Sequence, residues 1–272
     1  MNNYAIGVFD SGMGGLTTVK ELNSILPNEN IIYFGDTARI PYGSRSKETI
    51  LKYAKQDINF LKSHKIKMII SACGTVSSTV LNNPIQNLDL GFIGVVIPAC
   101  ETACRVTKNK KIAVIGTSAT IRSQSYVTTI NSIDTSMEVL GVACPMFVHL
   151  VENGYIDRNN VVTKIIAEEY LEPIKKFGAD TLILGCTHYP IIKDVIADIM
   201  GDGVTLISSG AEAGKYAKDY LIKNNLLTNR TSLGENEFYV SDSIQLFEEN
   251  AKNFLGHEVK GKVFKGDVHH LK

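Results

Sequence analysis

Cys73 and Cys186 stand in matching settings more than a hundred residues apart. The first sits in Met68-Ile-Ile-Ser-Ala-Cys-Gly-Thr-Val-Ser-Ser, the second in Thr181-Leu-Ile-Leu-Gly-Cys-Thr-His-Tyr-Pro. In each, an apolar, β-branched run ends at a thiol, and small or hydroxyl residues follow before a helix-like stretch. A parallel strand that ends at a helix N-terminus is where an α/β fold places its ligand. It is also where a thiol ionises most readily, because free N–H groups and the helix dipole favour the anion. Two such thiols, each on its own βα turn, suit a reaction that needs the same kind of base twice.

Other segments offer groups to work beside them. Asp10-Ser11-Gly12-Met13-Gly14-Gly15 follows a strand-like run and opens a helix. Its glycines let backbone N–H groups approach an anion, and Ser11 adds a hydroxyl donor. It is not a dinucleotide fingerprint, since the third glycine position counted from Gly12 is Thr17. A tight turn without a ligand is the plain alternative, but a carboxylate at Asp10 suggests a proton or ammonium role. The loop Gly35–Ser44, with Tyr42 and Gly43, reads equally as a ligand-contact loop or a connector. His188 follows Cys186 by two residues, which favours a role at that thiol. Cys100 and Cys104 lie four apart on a helical pattern without further Cys or His partners, so they read as small buried apolar residues, as does Cys144. His269 and His270 fall in a polar tail and read as solvated. No metal site is expected.

The elements that must position these groups alternate. Strand-like runs cover Tyr4–Phe9, Ile31–Phe34, Lys67–Ser71, Gly91–Val96, Lys111–Ile115, Met137–Val142, Thr181–Leu184, Val204–Ile207, Glu237–Val240 and Glu258–Phe264. Between most of them lie helical patterns. Ser46–Leu61 carries Ile50, Leu51, Ala54, Ile58 and Leu61 at helical spacing with Ser46 as its N-cap, and Val161–Phe177 carries Val161, Ile165, Ile166, Tyr170 and Ile174. This alternation implies mainly parallel sheets flanked by helices. Asp10 to Cys73 spans 63 positions and Gly116 to Cys186 spans 70, so the chain reads as two similar α/β domains facing one another across a cleft. The first would comprise 1–97 with 209–272 and the second 98–208, with the crossover near Pro98.

Composition bounds the class. The chain has 272 residues, 44% of them hydrophobic and 21% charged, enough for two ordinary cores. Formal net charge is zero, which gives no reason to expect nucleic acid or an anionic membrane as partner. The longest apolar run, Leu90 to Cys100, is too short to span a bilayer and is broken by two glycines and a proline. No signal peptide is visible, because the N-terminus has no basic region and its apolar stretch stops at Asp10. Five cysteines, an odd and sparse set, fit a reducing cytoplasm.

Asp10-Ser-Gly-x-Gly-Gly, Gly35-Asp-Thr-Ala-Arg-x-Pro-Tyr-Gly, Ala72-Cys-Gly-Thr and Gly185-Cys-Thr-His-Tyr-Pro occur in this order. Together they resemble the glutamate racemase family, the cofactor-independent, two-cysteine amino-acid racemases. The likeness runs from the first strand to about Gly210, and its last motif is the most specific. One departure is visible: the family commonly has Asn after the first cysteine, where this chain has Gly74. Backbone N–H or Thr75 must then replace an amide that would hold substrate.

The resemblance implies that Cys73 takes the Cα proton from one enantiomer of glutamate while Cys186 returns one, with the roles reversed for the other. It places Asp10 near the first thiol, and Glu152 and His188 near the second. Ser11, Thr75 and Thr187 would steady the substrate carboxylate, with Tyr42, Gly43 and Gly74 as further contacts. It also implies a homodimer, no cofactor, and a supply of D-glutamate for cell-wall precursor synthesis. Two bases on opposite faces spare one base the journey around a carbanion. A free thiol with a pKa of about 8.5 is only a few per cent thiolate at neutral pH, a deficit that helix N-termini are expected to offset. A related isomerase of aspartate, a hydantoin or another small acid is the enzyme alternative, and a two-domain amino-acid binding protein is the non-catalytic one. No lysine stands out in a context that would hold pyridoxal phosphate.

Overall fold

The computed structural model describes residues 3–85, 88–259 and 262–268; His269 and His270 lie outside them. Among the described residues the strands are β1 (Ala5–Asp10), β2 (Ile31–Gly35), β3 (Ile66–Ser71), β4 (Gly91–Gly94), β5 (Lys111–Gly116), β6 (Glu138–Ala143), β7 (Thr181–Leu184), β8 (Thr205–Ser208), β9 (Asn236–Val240) and β10 (Val263–Lys265). Each falls on a run read from the sequence. The fourth run is cut short because Val96 already begins a helix, and β10 takes up only the end of its run.

The strands form two sheets in which every pairing is parallel. One has the order β10-β9-β2-β1-β3-β4 and the other β6-β5-β7-β8. The segment β2-β1-β3-β4 therefore recurs as β6-β5-β7-β8, so β1 corresponds to β5 and β3 to β7. This repeat is the physical content of the two similar spacings. Inner strands of a parallel sheet are covered on both faces and read as continuous apolar runs. Val8 and Phe9, Met68 to Ile70, Ile112 to Ile115 and Leu182 to Leu184 are accordingly buried.

The helices follow from capping and periodicity, with one correction. Ser46 caps the helix Lys47–Lys62 by accepting from the Thr49 N–H, and Ile50, Ala54, Ile58 and Leu61 face inward. The helix Val161–Phe177 is also present, but its expected stripe is only partly inward: Ile174 is buried and Ile166 and Tyr170 pack against the core, while Val161 and Ile165 do not. Thr163, Ala167, Leu171 and Ile174 are buried, whereas Val161 and Ile165 are exposed. Asn160 accepts from the Thr163 N–H, and the Thr163 hydroxyl donates to the Tyr155 carbonyl at 2.7 Å. Those bonds turn the Thr163 side of the helix inward.

The chain leaves the first sheet through the helix Val96–Val106. Pro98 lies in its first turn, where a missing N–H costs little. Cys100 packs there with Ile112, Val114 and Ile183. Cys144 is likewise buried, and Cys104 only partly. The helix Ser209–Lys223, capped by Ser208, carries the chain back toward β9 and β10. No helix among the described residues is long and apolar enough to cross a membrane.

Candidate active site

Asp10 is the last residue of β1, and its carbonyl accepts from the Asp36 N–H at 3.0 Å. Its buried carboxylate accepts from the Gly12 N–H at 3.1 Å. Burial raises the Asp10 pKa, against the pull of His188 and of the N–H groups of Gly15, Gly12 and Ser11. Cys73 occupies the N-cap position of the helix Gly74–Leu81, and its thiol donates to the Ser11 hydroxyl at 3.5 Å. Burial, helped by Asp10, pushes the Cys73 thiol up to about 12, despite Ser11 and the Val76 N–H. The sequence reading expects the helix N-terminus to ease ionisation here. Desolvation beats it, because the sulfur is enclosed beside a carboxylate.

Cys186 lies two residues beyond the end of β7 and is followed by a 3-10 turn, Tyr189–Ile192, not directly by an α-helix. Pro190 stands inside that turn. What faces this sulfur is a side chain: His188 Nδ1 lies 3.8 Å from Cys186 Sγ, and His188 Nε2 lies 3.1 Å from Glu152 Oε1. Glu152 ends the helix Met146–Glu152. Burial works against a charge on His188, but Cys186 and Glu152 outweigh it and the pKa is raised. Two further bonds tie this turn to the first sheet's loops. The Thr187 hydroxyl donates to Asp10 Oδ1 at 3.5 Å, and the Thr17 hydroxyl to the Thr187 carbonyl at 3.0 Å.

A cavity of about 110 Å³ lies between these turns, and both sulfurs line it. Ser11, Tyr42, Gly43, Gly74, Thr75, Glu152, Thr187 and His188 share its wall. Asp10 is the one expected site residue that is not on the wall; it lies behind, against Ser11 and Thr187. The Tyr42 hydroxyl is engaged elsewhere, donating to Asp36 and, at 3.1 Å, to Asp57. Arg39 completes that cluster at 3.0 Å from Asp57, so the loop Gly35–Ser44, part of which lines the cavity, is anchored from below. A larger apolar cavity, about 330 Å³, lies beyond the helix Gly74–Leu81 among Val80, Leu81, Leu90 and Phe92, and no described acid or thiol lines it. Among the described residues no group of three or more His, Cys, Asp or Glu side chains is placed to hold a metal ion.

The sequence pattern of the Asp/Glu/Hydantoin racemases matches residues 6–217. The chain belongs to that family. It is 41% identical over 267 residues to a glutamate racemase of Geobacter metallireducens, covering 98% of this chain and 96% of the relative. It is 44% identical over 255 residues to one of Chlorobaculum parvum, covering 93% of each. Among solved structures, a glutamate racemase isoform of Bacillus anthracis superposes with a TM-score of 0.93 at 35% identity, covering 98% of both chains. A Francisella tularensis glutamate racemase in complex with D-glutamate does so at 0.88 and 38%, covering 99% of both.

In this member of the racemase family the cavity wall also includes Thr117, Ser118, Pro145, Val148 and His149, which sequence reasoning missed. A signal was present for the first two. Thr117 and Ser118 follow β5 as Ser11 and Gly12 follow the end of β1, so the strand repeat could have placed them. His149 precedes Glu152 by one helical turn and shares its face.

Proposed function

We propose that this protein is a glutamate racemase that interconverts L- and D-glutamate without a cofactor. The observation that carries this reading is that the sulfurs of Cys73 and Cys186, from corresponding turns after β3 and β7, line one small cavity. Near full-length relatives named glutamate racemase support the substrate.

In the mechanism, Cys73 rests as a thiol, the form that donates a proton. Across the cavity, His188 Nδ1 lies 3.8 Å from the sulfur of Cys186. In one direction Cys186, as thiolate, takes the Cα proton and Cys73 delivers its own to the opposite face. The enzyme is left with a thiol at 186 and a thiolate at 73, and this form runs the reverse direction. Each group is base one way and acid the other. The hydroxyls of Ser11, Thr75 and Thr187 would hold the substrate carboxylate as carbanion charge spreads into it. Enclosure strengthens those contacts by excluding water. Asp10, behind Ser11 and Thr187, orients the first turn, and Glu152 orients His188.

The D-glutamate would supply peptidoglycan precursor synthesis in the cytoplasm, and the enzyme would act as a homodimer, which light scattering of the purified protein checks. The activity test is chiral chromatography of L- and D-glutamate after incubation with cofactor-free protein, repeated in heavy water. Both enantiomers should converge on equal amounts with deuterium at Cα. Turnover of aspartate or a hydantoin alone would reassign the substrate, and an untouched Cα proton would make the protein a binder.

A further inference from the structure

The imidazole of His188 has a neighbour at each nitrogen, Cys186 Sγ at 3.8 Å and Glu152 Oε1 at 3.1 Å. A histidine ring turns about two side-chain bonds, and contacts of this length do not fix both. What packs on the ring therefore decides whether it meets sulfur and carboxylate together. That packing comes from the other sheet. His188 follows β7 of the four-stranded sheet, whereas Gly14 follows β1 and the helix Ile244–Leu255 lies between β9 and β10, all three strands belonging to the six-stranded sheet. Phe254 of that helix is buried, and its ring stands at 89° to the imidazole with the centroids 5.8 Å apart. This is a favoured arrangement for two aromatic rings.

The turn after β1 supplies a second wall. A Cβ built on Gly14 would fall on the Thr187 hydroxyl and stand 2.6 Å from both Cε1 and Nδ1 of His188. The space over Gly14 is thus occupied by the imidazole. Phe254 itself does not line the cavity that holds the two sulfurs. It borders a neighbouring cavity of about 220 Å³, shared with Glu152, Phe247 and Asn250. With the ring removed, that empty space would reach the imidazole, and nothing would take the ring's place. We propose, on the two-thiol reading above, that Phe254 is a positioning residue: its ring, with the open space over Gly14, seats His188 on Cys186 and Glu152 at once. The six-stranded side thereby sets the geometry of a thiol carried by the four-stranded one. An imidazole displaced by on the order of 1 Å can cost about 100-fold in rate.

The test sets Phe254→Leu beside Phe247→Leu, using steady-state kinetics and NMR of the His188 ring nitrogens. Phe247 is equally buried and borders the same 220 Å³ cavity, but its ring neighbours are Tyr33 and Phe238. Both variants should lose comparable stability in urea. Phe254→Leu should lower kcat about 10- to 100-fold, with KM changed less, and should shift or broaden both ring-nitrogen signals. Phe247→Leu should leave those signals in place and keep most of kcat. Phe254→Tyr, which retains the ring, should keep both near those of the unaltered protein. Unmoved His188 signals in Phe254→Leu, or an equal loss of kcat in Phe247→Leu, would overturn the proposal. If the unaltered protein does not racemise glutamate, the racemase reading fails, and the His188 signals alone still decide the role of Phe254. Should Phe254→Leu not fold, Gly14→Ala presses on the imidazole directly: displaced signals support the seat, and unmoved ones overturn it.

Discussion

His188 Nδ1 lies 3.8 Å from the sulfur of Cys186, whereas the sulfur of Cys73 has a serine hydroxyl at 3.5 Å. The two thiols occupy equivalent places in a repeated strand order, yet one is paired with an imidazole and the other with Ser11 above a buried carboxylate. Burial beside Asp10 holds Cys73 protonated, while Cys186 has a partner, His188, whose own pKa is raised.

Cys73→Ala and Cys186→Ala should each lower racemisation by on the order of 10³-fold, the scale of a lost general acid or base. The melting temperature should barely move, because only a sulfur atom leaves each turn. Circular dichroism of glutamate at both starting configurations checks the rates. Near-normal turnover by either variant would remove the two-base assignment.

Alkaline stability should distinguish Cys73. Its folded pKa, raised from 9.0 to about 12, means that the unfolded chain releases this proton first. Its contribution is therefore complete below pH 9 and is lost as pH rises through about 12. Urea unfolding of the protein and of Cys73→Ala, matched near neutral pH, should diverge as pH rises across that window, the protein with the thiol falling below the variant. Parallel curves would mean that the thiol is not held protonated.

Glu152→Gln should lower the His188 pKa, since it removes one of the two groups that raise it against burial. The charge on His188 stabilises the fold fully below its ordinary value of 6.5, and that contribution is lost as pH rises through the raised value. In the variant the loss starts at the same pH but is smaller and complete at a lower pH. Titration of the imidazole by NMR checks the direction, and turnover should fall roughly 10- to 100-fold as His188 loses its orientation.

Tyr42→Phe should cost about 1–3 kcal/mol, because two buried carboxylates lose a shared hydroxyl donor. The loop beside Gly43 loses its anchor, so KM should rise more than kcat falls. Denaturant unfolding and steady-state kinetics separate the two effects.

Ile165→Glu on the helix Val161–Phe177 should change stability by less than about 0.5 kcal/mol, while Leu171→Ala costs about 2–5 kcal/mol. The contrast reports which stripe of that helix is buried.

The strands and both thiol-bearing turns were legible because buried parallel strands are uniformly apolar and end abruptly at small residues. The helix Val161–Phe177 misled because apolar residues occupy two of its sides, and a cap together with one threonine hydrogen bond chose between them. His149 was harder to find than Thr117, since it lies in no motif and in no position repeated between the strand orders, and it reaches the cavity only through tertiary packing. The pKa of Cys73 was out of reach for another reason. Sequence shows the helix behind a thiol, but enclosure depends on what closes over it from the other half.

The unlike partners of the two sulfurs have a thermodynamic corollary. Mirror-image solutes have equal free energy in water, so a racemase must show the same kcat/KM in both directions. An imidazole on one side and a hydroxyl on the other can make one enantiomer turn over faster only if that enantiomer also has the larger KM, in the same proportion.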